Sequence, residues 1–178
     1  VKLTPGFGAD ALKGLKTFFT TRGERSAGNC VSCHAPPFFT DFSFHNIGVS
    51  QSEYDDVHGE GRFAGLDLPR GGDAIRPSPQ FREIPTKKNP GHADLGYWNF
   101  VKLDSRLRRA GETDDQFLDR MVATFKTPTL RNLAFSRPYM HNGAYSSLES
   151  TLNEIARLSA LSRSGGVRAA DDEIMRVK

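Results

Sequence analysis

The chain has 178 residues, 37% of them hydrophobic and 25% charged, which suits one domain, residues 1–178, with a core of its own and excludes a wholly disordered chain. The net charge is +3 and the pI about 9.0. The basic residues are spread out, with Arg108-Arg109 and Lys87-Lys88 the densest pairs; this excludes a nucleic-acid stripe and leaves room for an acidic protein partner. No run approaches the roughly 18 apolar residues of a membrane helix, and VKLTPGFGAD lacks the apolar centre of a signal peptide. Without an initiator Met, Val1 is expected to begin a mature chain or a fragment.

In chain order, GADALKGLKTFF predicts a first helix, with Ala11, Leu12, Leu15, Phe18 and Phe19 on one apolar face. TTRGERSAGN turns the chain, with Gly23 and Gly28 as stops. NCVSCHAPP follows as a short helical turn ended by Pro36-Pro37. Phe38 to Gly48 reads as aromatic and irregular. Ser50 with Glu53 forms a capping box for a short helix. Residues 59–91 hold many of the 17 Gly and 10 Pro and read as loop; so long a loop needs a rigid body to wrap, and a large cofactor would serve. Thr113 caps TDDQFLDRMVATF, whose Phe117, Met121, Val122 and Phe125 share a face until Pro128 breaks the helix. Ser146 with Glu149 opens the last clear helix, striped by Leu148, Leu152, Ile155 and Leu158. AADDEIMRVK offers one more turn. There is no internal repeat and no convincing strand pair. The fold class expected is mainly α, with long Gly/Pro-rich loops and little or no strand.

Both cysteines of the chain stand in NCVSCHAPP, which admits three chemistries. A thioredoxin-like redox pair needs a βαβ setting, and none is visible. A zinc knuckle would join Cys30 and Cys33 to His45 or His58, but these histidines are too widely spaced for a second ligand pair, and His34 would be wasted. Cys-x-x-Cys-His is the haem c attachment pattern. Cys30 and Cys33 would tether the macrocycle by thioethers, and the tight turn between them directs His34 at the iron as proximal ligand. This chemistry belongs to an exported compartment, typically the periplasm. The 13 Phe of the chain suit a large apolar ring.

The stretch FKTPTLRNLAFSRPYMHNGAYSSLESTL, Phe125 to Leu152, resembles the signature of the bacterial dihaem cytochrome c peroxidase and MauG family. FHNIGVS, VHGEGRFAG, NPGHADLGYWNF and the opening ALKGLKTFF…GNCVSCH resemble it too, together spanning most of the chain from Leu12 to about Ala169. The resemblance is to the second, C-terminal haem domain. It implies a cytochrome c-type fold, one covalent haem c, and a role as electron relay for a redox partner protein or a second haem domain or subunit. Autonomous peroxidase activity is not implied by this half. After EIMRVK the family continues with another helix, so the C-terminus is expected to be truncated.

The resemblance also assigns the haem surroundings: Phe44, Phe125, Pro128, Leu130, Arg131, Tyr139, Met140, His141 and Ile155. In the family a Met or Tyr on the helix after PYMHNG binds the sixth position, and here that place falls on Ile155, which cannot bind iron. The sixth position is then open, or taken by Met140, Met121 or His141, with Met140 the candidate ligand; a thioether there would raise the potential. An open position is the favoured outcome, and it carries the alternative function of a haem peroxidase or small-ligand site. Such chemistry needs a distal acid–base group, for which His141, Glu154 and Glu149 are near in sequence. A third reading makes the haem mainly a structural core.

The remaining residues have blander readings beside these. Tyr139 and His141 line the haem edge or cap a turn. Arg131 pairs with a haem propionate or forms a surface ion pair. His45 is read as a hydrogen-bonded structural histidine, His58 and His92 as solvated, and Trp98 and Met121 as core. The family's calcium takes main-chain oxygens matching Ser136 and Pro138 plus a ligand from the first domain; without that domain calcium is not expected.

Overall fold

Helix α1, Ala9–Phe19, is tied at its C-terminal end to the segment entering the cysteines: Gly28 N–H donates to the Thr17 carbonyl and Asn29 N–H to that of Thr20, both at 3.0 Å. The computed structural model describes residues 6–21, 27–71 and 76–178; Gly23, expected as a stop, lies outside them. A Cβ at Gly28 would meet the Thr17 carbonyl at 2.7 Å, so the close crossing needs glycine. No residue of α1 is buried, and Leu12, Leu15 and Phe19 of its apolar face are exposed.

Helix α2, Val49–His58, does not start from a Ser50–Glu53 capping box. Gly48 holds the N-cap at φ 92°, packed against Leu158 and Val167. That backbone approach starts the helix two residues earlier than expected, so Ser50 falls inside its first turn and is buried. Residues 59–91 are irregular, as expected, with short 3-10 turns at Phe63–Gly65 and Pro79–Phe81. Their rigid body is protein. Phe63, Leu68 and Phe81 enter one core with Leu95, Trp98, Phe117 and Met121. Trp98 is 1% exposed and meets Phe81 edge-on at 5.6 Å, which makes it core as read from the sequence.

Helix α3, Asp114–Met121, carries a complete capping box between Thr113 and Gln116. It stops at Met121, short of Phe125. Ala123 turns through φ 54° and gives its N–H to Leu95, while the Thr124 carbonyl accepts from Tyr97. Phe125–Lys126 (β2) then pairs antiparallel with Phe44–His45 (β1), the one strand pair among the described residues. Hydrogen bonds to distant segments of the chain thus end a helix that apolar spacing alone would extend. Helix α4, Leu148–Arg163, is capped by Ser147, whose hydroxyl accepts from Ser150 N–H, one residue beyond the Ser146–Glu149 pair expected. Its stripe is buried only towards the C-terminus: Leu158 is 0% exposed, Leu148 44% and Leu152 59%. Helix α5, Asp172–Met175, packs on α4 through Ile174. The described chain is mainly helical, and no helix in it is long and apolar enough to cross a membrane.

Candidate functional site

The cysteines stand on a 3-10 turn, Cys30–Ser32, entered through Asn29 in the left-handed region at φ 50°. Asn29 is buried; its amide donates to the Glu173 carbonyl and carboxylate at 2.9 Å and its oxygen accepts from the Ser32 hydroxyl at 2.7 Å. Cys33 N–H and His34 N–H both donate to the Cys30 carbonyl, at 3.3 and 2.8 Å, which closes the turn and sets His34 directly after the thiols. The two thiols form no disulfide. The Cys30 thiol faces the Gly28 carbonyl at 3.3 Å, and burial pushes its pKa up, so it is no activated thiolate of the redox kind.

The His34 ring has one nitrogen committed. A carbonyl can only accept, so Nδ1–H donates to the Phe39 carbonyl at 3.0 Å, and in the neutral ring the lone pair sits on Nε2. Burial lowers the His34 pKa and favours that neutral form. A metal-binding histidine is oriented in this way. The loop carrying Phe39 is itself held by the strand-and-turn segment after β2. Thr40 Oγ1 donates to Thr127 at 2.7 Å, Thr129 Oγ1 to Phe38 at 2.6 Å, and Leu130 N–H to Phe39 at 3.3 Å. Arg131 donates to the Pro37 carbonyl and lies over the Phe39 ring; it holds main chain, where the sequence suggested a carboxylate. Pro128, Leu130 and Arg131 are thereby brought beside His34. Phe39 also meets Phe18 of α1 at 6.1 Å, and the exposed rings of Phe38 and Phe42 lie 5.9 Å apart. A tethered turn, a ligand-ready imidazole and exposed aromatic rings around them fit a large, flat, apolar prosthetic group.

A second donor cluster lies against the turn. Donor atoms of Cys33, Asp41 and His45 fall within 4.8 Å of one another. Both His45 nitrogens are engaged by carboxylates, Nε2 with Asp41 at 2.7 Å and Nδ1 with Asp171 at 3.1 Å. Asp171 first, then the Cys33 sulfur, and Asp41 push its pKa up to about 11, and with a carboxylate on each nitrogen the ring has no lone pair free for a metal. His58 stands elsewhere, stacked on Tyr54 at 3.9 Å. The knuckle of Cys30, Cys33, His45 and His58 is therefore not assembled. His58 is half-buried and bonded to the Tyr54 carbonyl, and His92 lies 3.1 Å from Glu83, so neither is the solvated side chain expected.

Around PYMHNG, the His141 ring stacks on Phe125 at 3.6 Å, with Glu53 at 3.4 Å and Asp94 at 3.9 Å from its Nε2. Burial raises the Asp94 pKa. Tyr139 donates to the Leu133 carbonyl at 2.8 Å and bridges Tyr145 through the main chain. Met140 is half-buried in a left-handed turn at φ 65°. Phe44 stacks on Tyr97 at 4.0 Å, on the other strand of the pair. Ile155 is half-buried on α4, and Met121 is core beside Phe117. Glu154 is held by Arg157 and by Ser52, which keeps its pKa low. Asp171, Glu173 and Asp94 had no sequence signal, because each acts on a residue remote in the chain; Glu53 was read only as a cap, and Asp41, four residues from His45, was not singled out.

Fold and turn together define a mainly α domain of the cytochrome c kind. Over 146 residues the chain is 30% identical to methylamine utilization protein MauG of Methylorubrum extorquens, covering 82% of this chain and 25% of that protein. It is 29% identical to cytochrome-c peroxidase IdrP2 of Pseudomonas sp. (strain SCT), covering 79% of this chain and 33% of that protein. The chain belongs to the bacterial dihaem cytochrome c peroxidase/MauG family. It spans between 25% and 33% of the length of these curated relatives. No family profile and no solved structure matches it.

Proposed function

We propose that this chain is the haem c electron-transfer domain of a cytochrome c peroxidase/MauG-like oxidoreductase, the C-terminal of that family's two haem domains. Cys30 and Cys33 hold one haem covalently, and His34 is its proximal ligand. The observation that carries this reading is the Nδ1–H bond from His34 to the Phe39 carbonyl, which presents Nε2 as the free donor beside two thiols on one turn. Bound there, the haem supplies a one-electron iron couple. The protein's part is to hold the imidazole at a fixed angle through Phe39, to cover the ring edge with Phe38, Phe42 and the Thr127–Arg131 segment, and to keep water from it. A second haem domain or a redox partner protein exchanges the electron. The compartment is periplasmic or otherwise exported, where such thioethers are made. Calcium at Ser136 and Pro138 is not required for this role.

A second reading rests on Ile155, a half-buried aliphatic side chain at the family's ligand position. With no donor there, a haem held by Cys30, Cys33 and His34 would keep a coordination position for peroxide or a small ligand. The nearby Glu154 is already committed to Arg157 and Ser52, which leaves it poorly placed as a distal acid–base group and favours the relay. A visible spectrum of the ferric protein separates the two. A low-spin spectrum unaltered by peroxide supports the relay; a high-spin spectrum that peroxide converts, with turnover of a reducing dye, supports the enzyme.

A further inference from the structure

The ribbon of β1 and β2 has two faces, and the cysteine turn lies against one of them. His45, paired with Phe125, points to the side of Cys33, with donor atoms of the two within 4.8 Å. Phe44, paired with Lys126, points the other way, because successive side chains of a strand alternate. There it borders a groove of about 350 Å³, lined also by Arg82, Asp94, Tyr97 and Phe100. The walls of the groove are aromatic. Phe44 and Tyr97 stack at 4.0 Å, and Phe100 is 56% exposed. Its free charges are positive. The Arg82 guanidinium lies over the Phe100 ring at 5.7 Å, and the Lys126 ammonium over Phe42 at 4.9 Å. Both cations are exposed, and neither forms an ion pair among the described residues. The one acid of the lining, Asp94, is engaged elsewhere: Oδ1 accepts from Gly96 N–H at 2.9 Å, and Oδ2 stands 3.9 Å from His141 Nε2.

We propose that this groove binds a small planar aromatic carboxylate, with its ring against Phe44, Tyr97 and Phe100 and its carboxylate on Arg82. Aromatic walls favour a flat ring, and a guanidinium fork matches a carboxylate in plane. Lys126 adds a second positive charge at the rim. A neutral aromatic molecule would leave Arg82 unanswered, and an aliphatic acid would lose the ring contacts. The size of the groove suits a small molecule with a few convergent polar groups. The Phe44–Lys126 wall faces away from Cys33, so the ligand is held without touching the cysteine turn.

The test is calorimetric titration of the haem-loaded chain with sodium naphthalene carboxylate, with naphthalene carboxamide and cyclohexane carboxylate alongside. One saturable site for the naphthalene acid is expected, with the visible spectrum of the haem unchanged. The amide and the cyclohexane acid should bind about tenfold more weakly or worse. Arg82→Gln should weaken the naphthalene acid about tenfold, and Lys126→Gln about threefold. Both side chains are exposed, so both variants are expected to fold. No saturable binding to the wild type overturns the proposal, and so does an unchanged affinity in Arg82→Gln. An amide bound as tightly as the acid overturns it as well. A haem spectrum that shifts with the naphthalene acid puts the ligand on the iron and also overturns it.

Discussion

Asn29 and Glu173 lie far apart in the chain, yet the Asn29 amide donates to both the main-chain and side-chain oxygens of Glu173 at 2.9 Å. The C-terminal segment therefore straps the residue that precedes Cys30. Lys178 N–H to Ala27 at 2.9 Å and the Ser159 hydroxyl to Val177 at 2.7 Å fasten the same strap.

Asn29→Ala should loosen the entry to the Cys30 turn. It removes buried hydrogen bonds worth about 1 kcal/mol each and leaves Ala at φ 50°, where a non-Asn, non-Gly residue costs about 1–2 kcal/mol. A loss of about 3–4 kcal/mol in urea unfolding is expected, with a lower yield of haem-loaded protein. Glu173→Gln, which keeps the carbonyl acceptor, should cost under about 1 kcal/mol. Equal losses for the two variants would contradict the strap.

Gly96→Ala should be the most damaging small substitution. Gly96 sits at φ 55° and ψ −129°, and an added Cβ would run into the Thr124 carbonyl and stand 2.9 Å from the Phe125 ring. Backbone strain and overpacking of this kind cost about 2–4 kcal/mol together. Thermal unfolding checks it; a midpoint within a degree or two of wild type would contradict the close approach of β2 to the core.

His45→Gln tests the imidazolium between Asp41 and Asp171. The folded pKa is raised from 6.5 to about 11, chiefly by Asp171. A raised histidine contributes stability that is complete below the unfolded pKa and is lost as pH climbs through the folded one. The partners are partly exposed, so the loss at pH 6 should be about 1–2 kcal/mol after allowance for screening. The gap between wild type and variant should narrow steadily from pH 7 towards 10. A gap independent of pH would place the effect in packing alone.

Much of this was legible beforehand. The Thr113 cap, the turn closed before Pro36-Pro37 and the C-terminal helical turn after Ala170 follow from local chemistry, and local chemistry is what a sequence displays. The end of α3 was not legible, because Phe125 has good helical spacing and only the distant Phe44 and His45 draw it into a strand. The start of α2 was missed for a similar reason: Ser50 and Glu53 have the right spacing, but Gly48 alone fits against Leu158 and Val167. The loop after Gly59 was rightly irregular, but nothing local shows that Phe63 and Phe81 meet Trp98 in a protein core. The acids at Asp171 and Glu173 carried no signal, because their partners lie at the other end of the chain.

Ile155→Met places a thioether at the family's ligand position. If α4 covers the haem, Ile155→Met should give the low-spin ferric spectrum of a thioether ligand, distinct from that of the wild type, and a higher reduction potential. Leu152→Met, on a side chain 59% exposed, should do neither. A spectrum identical in Ile155→Met and wild type would remove α4 from the haem.

The most direct test is the state of Cys30 and Cys33 in the chain expressed with c-type cytochrome maturation. After unfolding in denaturant, haem is expected to stay on the polypeptide at one per chain, with neither thiol open to alkylation, and Cys30→Ala with Cys33→Ala is expected to abolish attachment. Haem released by denaturant alone, or two freely alkylated thiols in a folded protein, would contradict the account.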